Sequence, residues 1–223
     1  MLTDDFVRLY PRLFHMAADG SWPSIERHGL LSTSALLDRW EVSTAIRSRL
    51  SGVPRRASLS FDHPDFGLAV VRDQKPIDAE RLELLLDDMT VPEWLEALDS
   101  RVFFFVQFER MLGLLTATSY RGRPHTIITI DTERFVRAYE SRIELSRINS
   151  GFAQPHATGR RGSATFQSIA HYRHVDRPVA RVPKDKKGWD VAELCVRDGV
   201  PDIRDYVLRV DRMHEGVVIE QIA

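Results

Sequence analysis

At 223 residues with 43% hydrophobic side chains, the chain can bury a hydrophobic core, and we expect one domain rather than two very small ones. Its 31 basic and 32 acidic residues exclude a globally basic nucleic-acid protein but leave a local basic patch open. The lone cysteine, Cys195, cannot form an internal disulfide, which favours a reducing cytoplasm. The amino terminus lacks the apolar core of a secretion signal, and no apolar run approaches the roughly 20 residues of a membrane span. We therefore expect a cytoplasmic protein with no membrane partner.

In chain order, the apolar pattern predicts short helices mainly in the first half and strands mainly in the second. The predicted helices are 4–10, 22–28, 35–50, 78–86, 92–98, one that ends near 115, and 132–139. The predicted strands are 13–16, 57–61, 68–71, 102–106, 126–130, 143–145, 191–196, 206–210 and 217–219. Thr90 and Glu93 have the spacing of a capping box at the start of one helix. This order of elements indicates an α+β fold rather than a doubly wound sheet.

Common catalytic motifs are absent from the sequence. It contains no P-loop, no Gly-x-Gly-x-x-Gly, no His-Glu-x-x-His and no Gly-x-Ser-x-Gly. The eight histidines are scattered, and the closest pair, His171 and His174, falls in a polar loop, so we expect no metal site.

Two titratable residues interrupt apolar strands, His15 in Leu-Phe-His-Met and Glu193 in Ala-Glu-Leu-Cys-Val. Taken alone, each residue could simply face solvent on one side of its strand. A glutamate on the apolar face of a strand is costly unless it is used, however. Both residues are therefore candidates for a functional site.

Two segments of the sequence resemble DarT-type DNA ADP-ribosyltransferases and their relatives. The first runs from Leu13-Phe-His-Met to Ser24-Ile-Glu-Arg-His-Gly-Leu-Leu-Ser32, and the second is Ala192-Glu-Leu-Cys-Val-Arg-Asp-Gly-Val-Pro201. The chain also looks like an uncharacterised bacterial family with Arg-Asp-Gln-Lys-Pro, Arg-Val-Phe-Phe and Asn-Ser-Gly segments. The transferase resemblance implies a single ADP-ribosyltransferase-like domain over 1–223, with a split β-sheet core and short helices.

The same resemblance assigns roles to individual residues in a reaction that consumes NAD as co-substrate. His15 binds the ribose and carboxamide region of NAD, and Glu193 is the catalytic carboxylate that stabilises an oxocarbenium-like transition state. Arg47 and Arg49 are the candidates for the pyrophosphate, with Arg47 grouped with NAD binding and Arg49 with catalysis. Two solvated helix charges are the alternative for this pair.

Two aromatic residues complete the predicted NAD site. Phe105 is a candidate for stacking on nicotinamide, although an aromatic strand more often only packs in the core. Tyr120 is the nearest counterpart of the tyrosine-rich segment that clamps nicotinamide in the DarT relatives.

Residues 149–190 form a predicted loop that holds eight basic and three acidic residues just before the strand of Glu193. In the transferases that the chain resembles, the loop before the catalytic glutamate contacts the acceptor. We therefore predict that Arg160, Arg161 and Phe166 bind the acceptor, and that the acceptor is a nucleic acid. A solvated loop without a ligand is the alternative.

The sequence thus favours an NAD-dependent ADP-ribosyltransferase that modifies a macromolecule, with a nucleic-acid base as the expected acceptor. A bacterial toxin setting, with DNA binding and an antitoxin protein as partner, would fit the resemblance. The alternatives are an NAD glycohydrolase, an RNA 2'-phosphotransferase of the same fold, and a non-catalytic module that holds a ligand. In that last case Glu193 should point into solvent, with no cleft joining it to His15.

Overall fold

The structure, a computed structural model, describes residues 3–172 and 191–223, which contain eight short α-helices, twelve strands and two 3-10 helices, Glu140–Arg142 and Ile203–Tyr206. The helices are α1 Thr3–Leu9, α2 Trp22–His28, α3 Thr33–Arg39, α4 Thr44–Leu50, α5 Ala79–Leu85, α6 Val91–Asp99, α7 Phe108–Leu115 and α8 Thr132–Tyr139. The strands are β1 Arg12–Ala18, β2 Leu30–Leu31, β3 Leu59–His63, β4 Gly67–Val71, β5 Arg101–Phe105, β6 His125–Asp131, β7 Ile143–Ser146, β8 Gln167–Ser168, β9 Glu193–Arg197, β10 Gly199–Val200, β11 Val207–His214 and β12 Val217–Gln221. The predicted α+β class is confirmed.

The main sheet has eight antiparallel strands in the order β12-β11-β6-β1-β5-β9-β7-β8. Most neighbours are paired along their length, as β1 and β6 are through seven residue pairs. In contrast, β1 and β5 are paired only at Phe14 and Phe105. The sheet is continuous at this pair, and the two strands part beyond it.

Side chains of the sheet alternate between its two faces and enter separate core clusters. On one face Leu13, Ile128 and Phe104 pack with Phe135 of α8. On the other face, the residues that alternate with them pack against α7; this core includes Phe14, Met16, Ile127, Met111 and Leu115. The period of two along β1 and β6 accounts for this division.

The helix ends follow from capping chemistry in several places. Thr90 and Glu93 form the predicted capping box at the start of α6, so this prediction is confirmed. Asp78 and Asp131 cap α5 and α8 by accepting a hydrogen bond from the backbone three residues on.

The prediction of one helix over 35–50 is wrong, because the chain breaks between α3 and α4. Glu41 has φ 51°, outside the helical region, and the amide of Val42 donates to the carbonyl of Leu37. Trp40 lies at the break, and its indole N–H donates to the carbonyl of Gly67 at 2.7 Å. Contact between Trp40 and the β3–β4 hairpin therefore competes with continuation of the helix.

The two segments that carry the resemblance to ADP-ribosyltransferases lie against each other. Strand β2 pairs with β10, which follows β9 in the chain. Gly29 has φ 85°, and a Cβ atom there would lie 2.4 Å from Cα of Pro201. Only glycine allows this approach at that backbone conformation, which explains the glycine after α2.

The segment 149–172 packs against the rest of the domain through β8 and irregular turns. The remainder of the predicted basic loop, 173–190, lies outside the described residues. No helix in the described part of the chain has the length and apolar character needed to cross a membrane.

Candidate functional site

A cleft of about 640 Å³ opens where β1 and β5 part. His15 reaches it from β1, Phe105 from β5 and Glu193 from β9. Arg72, the residue after β4, and Ser150 are among the other polar residues of the lining. A concave site of this size with a few convergent polar groups is typical of small-molecule sites, which span roughly 300–1,000 Å³.

Side chains satisfy the backbone groups that the parting strands leave unpaired. Nδ1 of His15 lies 2.8 Å from the carbonyl oxygen of Phe103, and the Arg72 guanidinium donates to the carbonyl of Met16 at 2.6 Å. A buried carbonyl without a partner would be costly, so these two bonds stabilise the opening in the sheet.

His15 is a neutral imidazole at neutral pH. Burial lowers its pKa to about 4. The bond to the Phe103 carbonyl raises the pKa but does not offset burial, and the positive charge of Arg72 lowers it further. Because a carbonyl can only accept, Nδ1 carries the proton and Nε2 is an acceptor. His15 can therefore accept a hydrogen bond from a ligand hydroxyl.

Glu193 is buried and only 5% exposed at the floor of the cleft. Its Oε2 accepts hydrogen bonds from the backbone N–H of Ser150 at 3.0 Å and from the hydroxyl at 2.7 Å. Burial raises the pKa of Glu193 to about 7, although these bonds and the charges of Arg110 and Arg161 oppose the rise. No described residue donates to Oε1, so this oxygen remains able to accept from a ligand.

Arg72 is a cation in the cleft without a carboxylate of its own. The neighbouring Asp73 is occupied by the hydroxyl of Tyr120 at 2.7 Å and by Arg123 at 2.7 Å. The Tyr120 ring lies 5.2 Å from the Arg72 guanidinium, and desolvation lowers the pKa of Arg72. Among the described residues Arg72 makes no salt bridge, which favours an anionic ligand beside it.

A second arginine fixes the backbone that carries Arg72. Arg55 pairs with both carboxylate oxygens of Asp99, at 2.5 and 2.8 Å, and donates to the carbonyl of Arg72 at 3.1 Å. Gln74 also donates to Asp99, at 3.1 Å. This network orients the segment after β4 and so positions the Arg72 guanidinium.

Four of the residues predicted for the NAD site do line this cleft. They are His15, Phe105, Tyr120 and Glu193. Strands β1, β5 and β9 are consecutive in the sheet, so residues from distant parts of the sequence meet in one place.

Arg47 and Arg49, by contrast, do not line the cleft. The Arg47 guanidinium donates to the backbone carbonyls of Leu37 and Val42 and pairs with Asp38, so it closes the end of α3. Arg49 is exposed on α4. The cleft is lined by Arg55 and Arg72 instead of these two arginines.

The predicted acceptor residues also lie outside the cleft. Arg160 pairs with Asp87 and donates to the carbonyls at the end of α5. Phe166 stacks on Trp94 at 5.5 Å between ring centroids, with the Arg101 guanidinium 4.3 Å from its ring. Arg161 is buried beside a second cavity that Arg160 also lines. Arg160 and Phe166 thus have structural contacts within the domain, and their role in binding an acceptor stays a prediction.

Several cleft residues were missed by the sequence predictions, above all Arg72, Arg55 and Ser150. Signals for two of them were available. Arg72 opens the Arg-Asp-Gln-Lys-Pro segment and Ser150 lies in the Asn-Ser-Gly segment, and residues of both line the cleft, as do residues of Arg-Val-Phe-Phe. Within 3–172 and 191–223 no group of three metal-ligating side chains comes together.

We expect Glu193→Gln to change how the free energy of unfolding depends on pH. As pH falls from about 6.5 to 4, the unfolded state protonates His15 more readily than the folded state does, which lowers stability. As pH falls from about 7 to 4.5, the folded state protonates Glu193 more readily, which raises stability. The two effects oppose each other between about pH 4.5 and 6.5.

In Glu193→Gln only the His15 effect remains of these two, so acid lowers the free energy of unfolding more than in the wild type. Urea unfolding of Glu193→Gln should show a loss of about 2 kcal/mol between pH 6.5 and 4.5, relative to the wild type. The exposed Glu220→Gln should follow the wild type and serves as the control. Parallel curves for Glu193→Gln and the wild type would contradict the opposition of the two groups.

The structure defines an α+β protein with a histidine and a glutamate in one cleft between parting strands. The chain belongs to a family of unknown function, DUF7002, whose model matches residues 11–207. This match includes every residue that lines the cleft, whereas α1 and most of the β11–β12 hairpin lie outside it. No curated protein matches the sequence.

Proposed function

We propose that this protein is an ADP-ribosyltransferase that consumes NAD in the cleft between β1 and β5. The observation that carries the proposal is that His15 and Glu193, the two polar interruptions of strands, line one cleft at the point where the sheet opens. In the non-catalytic alternative Glu193 would face solvent. Its burial in the cleft favours a catalytic role.

The properties of the cleft suit NAD as substrate. Its volume falls in the range of small-ligand sites. Arg72 and Arg27 line it without an ion pair to a described residue, so two guanidiniums are available for the pyrophosphate. The ring of Phe105 supplies an apolar surface for nicotinamide.

The chemistry follows from the protonation states of the two central residues. The bond between C1' of the ribose and the nicotinamide nitrogen breaks, and nicotinamide leaves with the electron pair, so positive charge develops on the ribose. The ionised Glu193 stabilises this charge, and Oε1 accepts from a ribose hydroxyl. The nucleophile of the acceptor then bonds to C1', and its proton passes to Glu193 or to water.

His15 has a complementary role in binding. Its Nδ1–H donates to the Phe103 carbonyl, and this hydrogen bond fixes the orientation of the ring. The Nε2 atom can then accept a hydrogen bond from the second ribose hydroxyl. As a neutral ring it adds no charge that would oppose the developing cation. The acceptor is proposed to be a nucleic acid because of the basic composition of 149–190, most of whose charges fall on residues outside the described part.

Transfer of an RNA 2'-phosphate to NAD is the second candidate. The observation that favours it is the set of four arginines in the cleft lining: Arg27, Arg55, Arg72 and Arg101. Two of them are occupied, however, since Arg55 pairs with Asp99 and Arg101 with Glu144. Fewer unpaired positive charges are therefore available for the 2'-phosphate of the RNA. For this reason the reaction is the second candidate, after ADP-ribosylation of a base.

Incubation of the purified protein with NAD at about pH 8 tests these functions, since Glu193 should then be ionised. Free nicotinamide is measured without nucleic acid, with DNA, with RNA, and with RNA that carries a 2'-phosphate. Release that requires DNA or RNA, with ADP-ribose on the nucleic acid, supports the transferase. Release in every arm indicates NAD hydrolysis, and loss of the 2'-phosphate indicates the second candidate. A folded protein that releases no nicotinamide in any arm overturns the proposal.

A further inference from the structure

Arg161 is a buried arginine with incomplete hydrogen bonding. Its residue surface is only 2% exposed, and its Nε and Nη1 atoms have no hydrogen-bond partner. The remaining nitrogen, Nη2, donates to the carbonyl of Phe152 at 3.0 Å. Buried charged groups are normally paired and fully bonded, so an arginine kept in this state requires a reason beyond packing.

The backbone around Arg161 is held firmly to the end of α5. Its amide donates to the carbonyl of Leu85 at 3.0 Å, and its carbonyl accepts from the amide of Asp87 at 2.9 Å. The guanidinium lies 6.0 Å from the ring of Trp94. These contacts fix the backbone at Arg161, and the residue also lines the second cavity.

Through Phe152, Arg161 reaches the turn that binds Glu193. This turn, Asn149 to Phe152, is closed by a hydrogen bond from the amide of Phe152 to the carbonyl of Asn149 at 3.2 Å. Its Ser150 provides both hydrogen bonds to Glu193. Arg161 therefore supports the carboxylate from the side away from the cleft, and it does not line the cleft itself.

The charges around this pair are few. Glu193 interacts electrostatically with Arg110 of α7 and, more weakly, with Arg161; burial raises the pKa of the neighbouring Cys195 thiol, and Glu144 and Glu193 add to that rise. The charges that act on Arg161 are those of Glu193 and of Arg81 on α5. Arg81 is held by its bonds to the carbonyl of Ala157. No salt bridge joins Arg161 to Glu193, so their interaction acts across the buried turn.

We propose that Arg161 is a positioning residue for Glu193: its bond to the Phe152 carbonyl holds the Asn149–Phe152 turn, whose Ser150 binds the carboxylate. The inference rests on the proposed function insofar as Glu193 is the catalytic group. Its physical content, the coupling between the two residues, can be measured without any NAD chemistry.

The coupling is tested first on the wild-type protein by NMR. The carboxyl carbon of Glu193 and Nε of Arg161 are followed as pH is raised, and both signals should move with the same midpoint. In Glu193→Gln the movement of the Arg161 signal should disappear. An Arg161 chemical shift that does not change as Glu193 titrates overturns the proposal. Because the wild-type protein is used, this experiment does not require an Arg161 variant to fold.

The second test uses two substitutions of Arg161. Arg161→Gln removes the charge and is too short to make the same bond to the Phe152 carbonyl, so the midpoints of the Glu193 titration and of the activity profile should both rise above the wild-type values. Arg161→Lys keeps the charge and should leave both midpoints near the wild-type value. The control is Arg137→Gln, an exposed arginine of α8 outside the cleft, which should not move either midpoint.

The outcomes separate this inference from the proposed function. A folded Arg161→Gln with an unchanged Glu193 midpoint overturns the role of Arg161, whatever the activity of the protein. Coupled NMR titrations in a protein that releases no nicotinamide would contradict the proposed function and leave the coupling intact.

Discussion

Replacing Glu193 with glutamine is expected to slow nicotinamide release by about 10²- to 10³-fold, the cost of removing one electrostatic stabiliser of a transition state. Glutamine has nearly the shape of glutamate, and its carbonyl oxygen can still accept from Ser150. The variant should therefore fold, and its KM for NAD should change less than kcat. Only the negative charge next to the developing cation is lost.

The measurement is the initial rate of nicotinamide release at saturating NAD, with unfolding curves recorded at the same pH. Glu220→Gln, an exposed substitution on the edge strand β12, provides a matched control and should retain the wild-type rate. In the wild type the rate should rise with pH through about 7 as Glu193 ionises. A Glu193→Gln protein that releases nicotinamide at the wild-type rate would exclude the mechanism.

Arg72→Met is expected to raise the KM for NAD by about 10- to 100-fold, because a hydrogen bond to a charged group contributes about 1.5–3 kcal/mol. Arg72, like Arg27, is a cation of the cleft that has no carboxylate partner among the described residues, and it is the one beside Tyr120, so a pyrophosphate would supply its missing counter-charge. Methionine keeps much of the apolar volume beside Tyr120. Part of the affinity should be retained in Arg72→Lys, which preserves the charge but not the planar fork.

Substrate-dependence curves for the variants give KM, and thermal unfolding shows whether loss of the bond to the Met16 carbonyl affects the fold. Arg49→Met is the informative control, since Arg49 is one of the two arginines that the sequence suggests for the pyrophosphate and it lies exposed outside the cleft. Its KM should equal that of the wild type. If instead Arg49→Met weakens NAD binding and Arg72→Met does not, the placement of the pyrophosphate is refuted.

His15 and Glu193 could be found from the sequence because each interrupts a strand, and a strand has a simple period. A short apolar run is typical of a buried strand, so a polar residue within it is easily recognised as an exception. The caps of α5, α6 and α8 were equally accessible, since a capping side chain acts within three residues of its own position.

The arginines of the site could not be assigned in the same way. Arg47 and Arg72 both lie in polar surroundings, and the sequence does not show which guanidinium finds backbone carbonyls and which faces a cleft. Their difference depends on the break at Glu41 and on the parting of β1 from β5, both of which result from contacts between distant segments. Local patterns carry no information about such contacts.

The position of β5 between β1 and β9 has a consequence for how the molecule is made. One neighbour of β5 comes from the beginning of the described chain and the other from near its end, so the loop closed by the β5–β9 pairing spans much of the sequence. Contacts of long sequence separation form slowly, because the entropy of loop closure must be overcome first. A nascent chain therefore has no complete cleft until β9 has emerged from the ribosome. The assembled site can exist only after Glu193 and the rest of β9 have been translated.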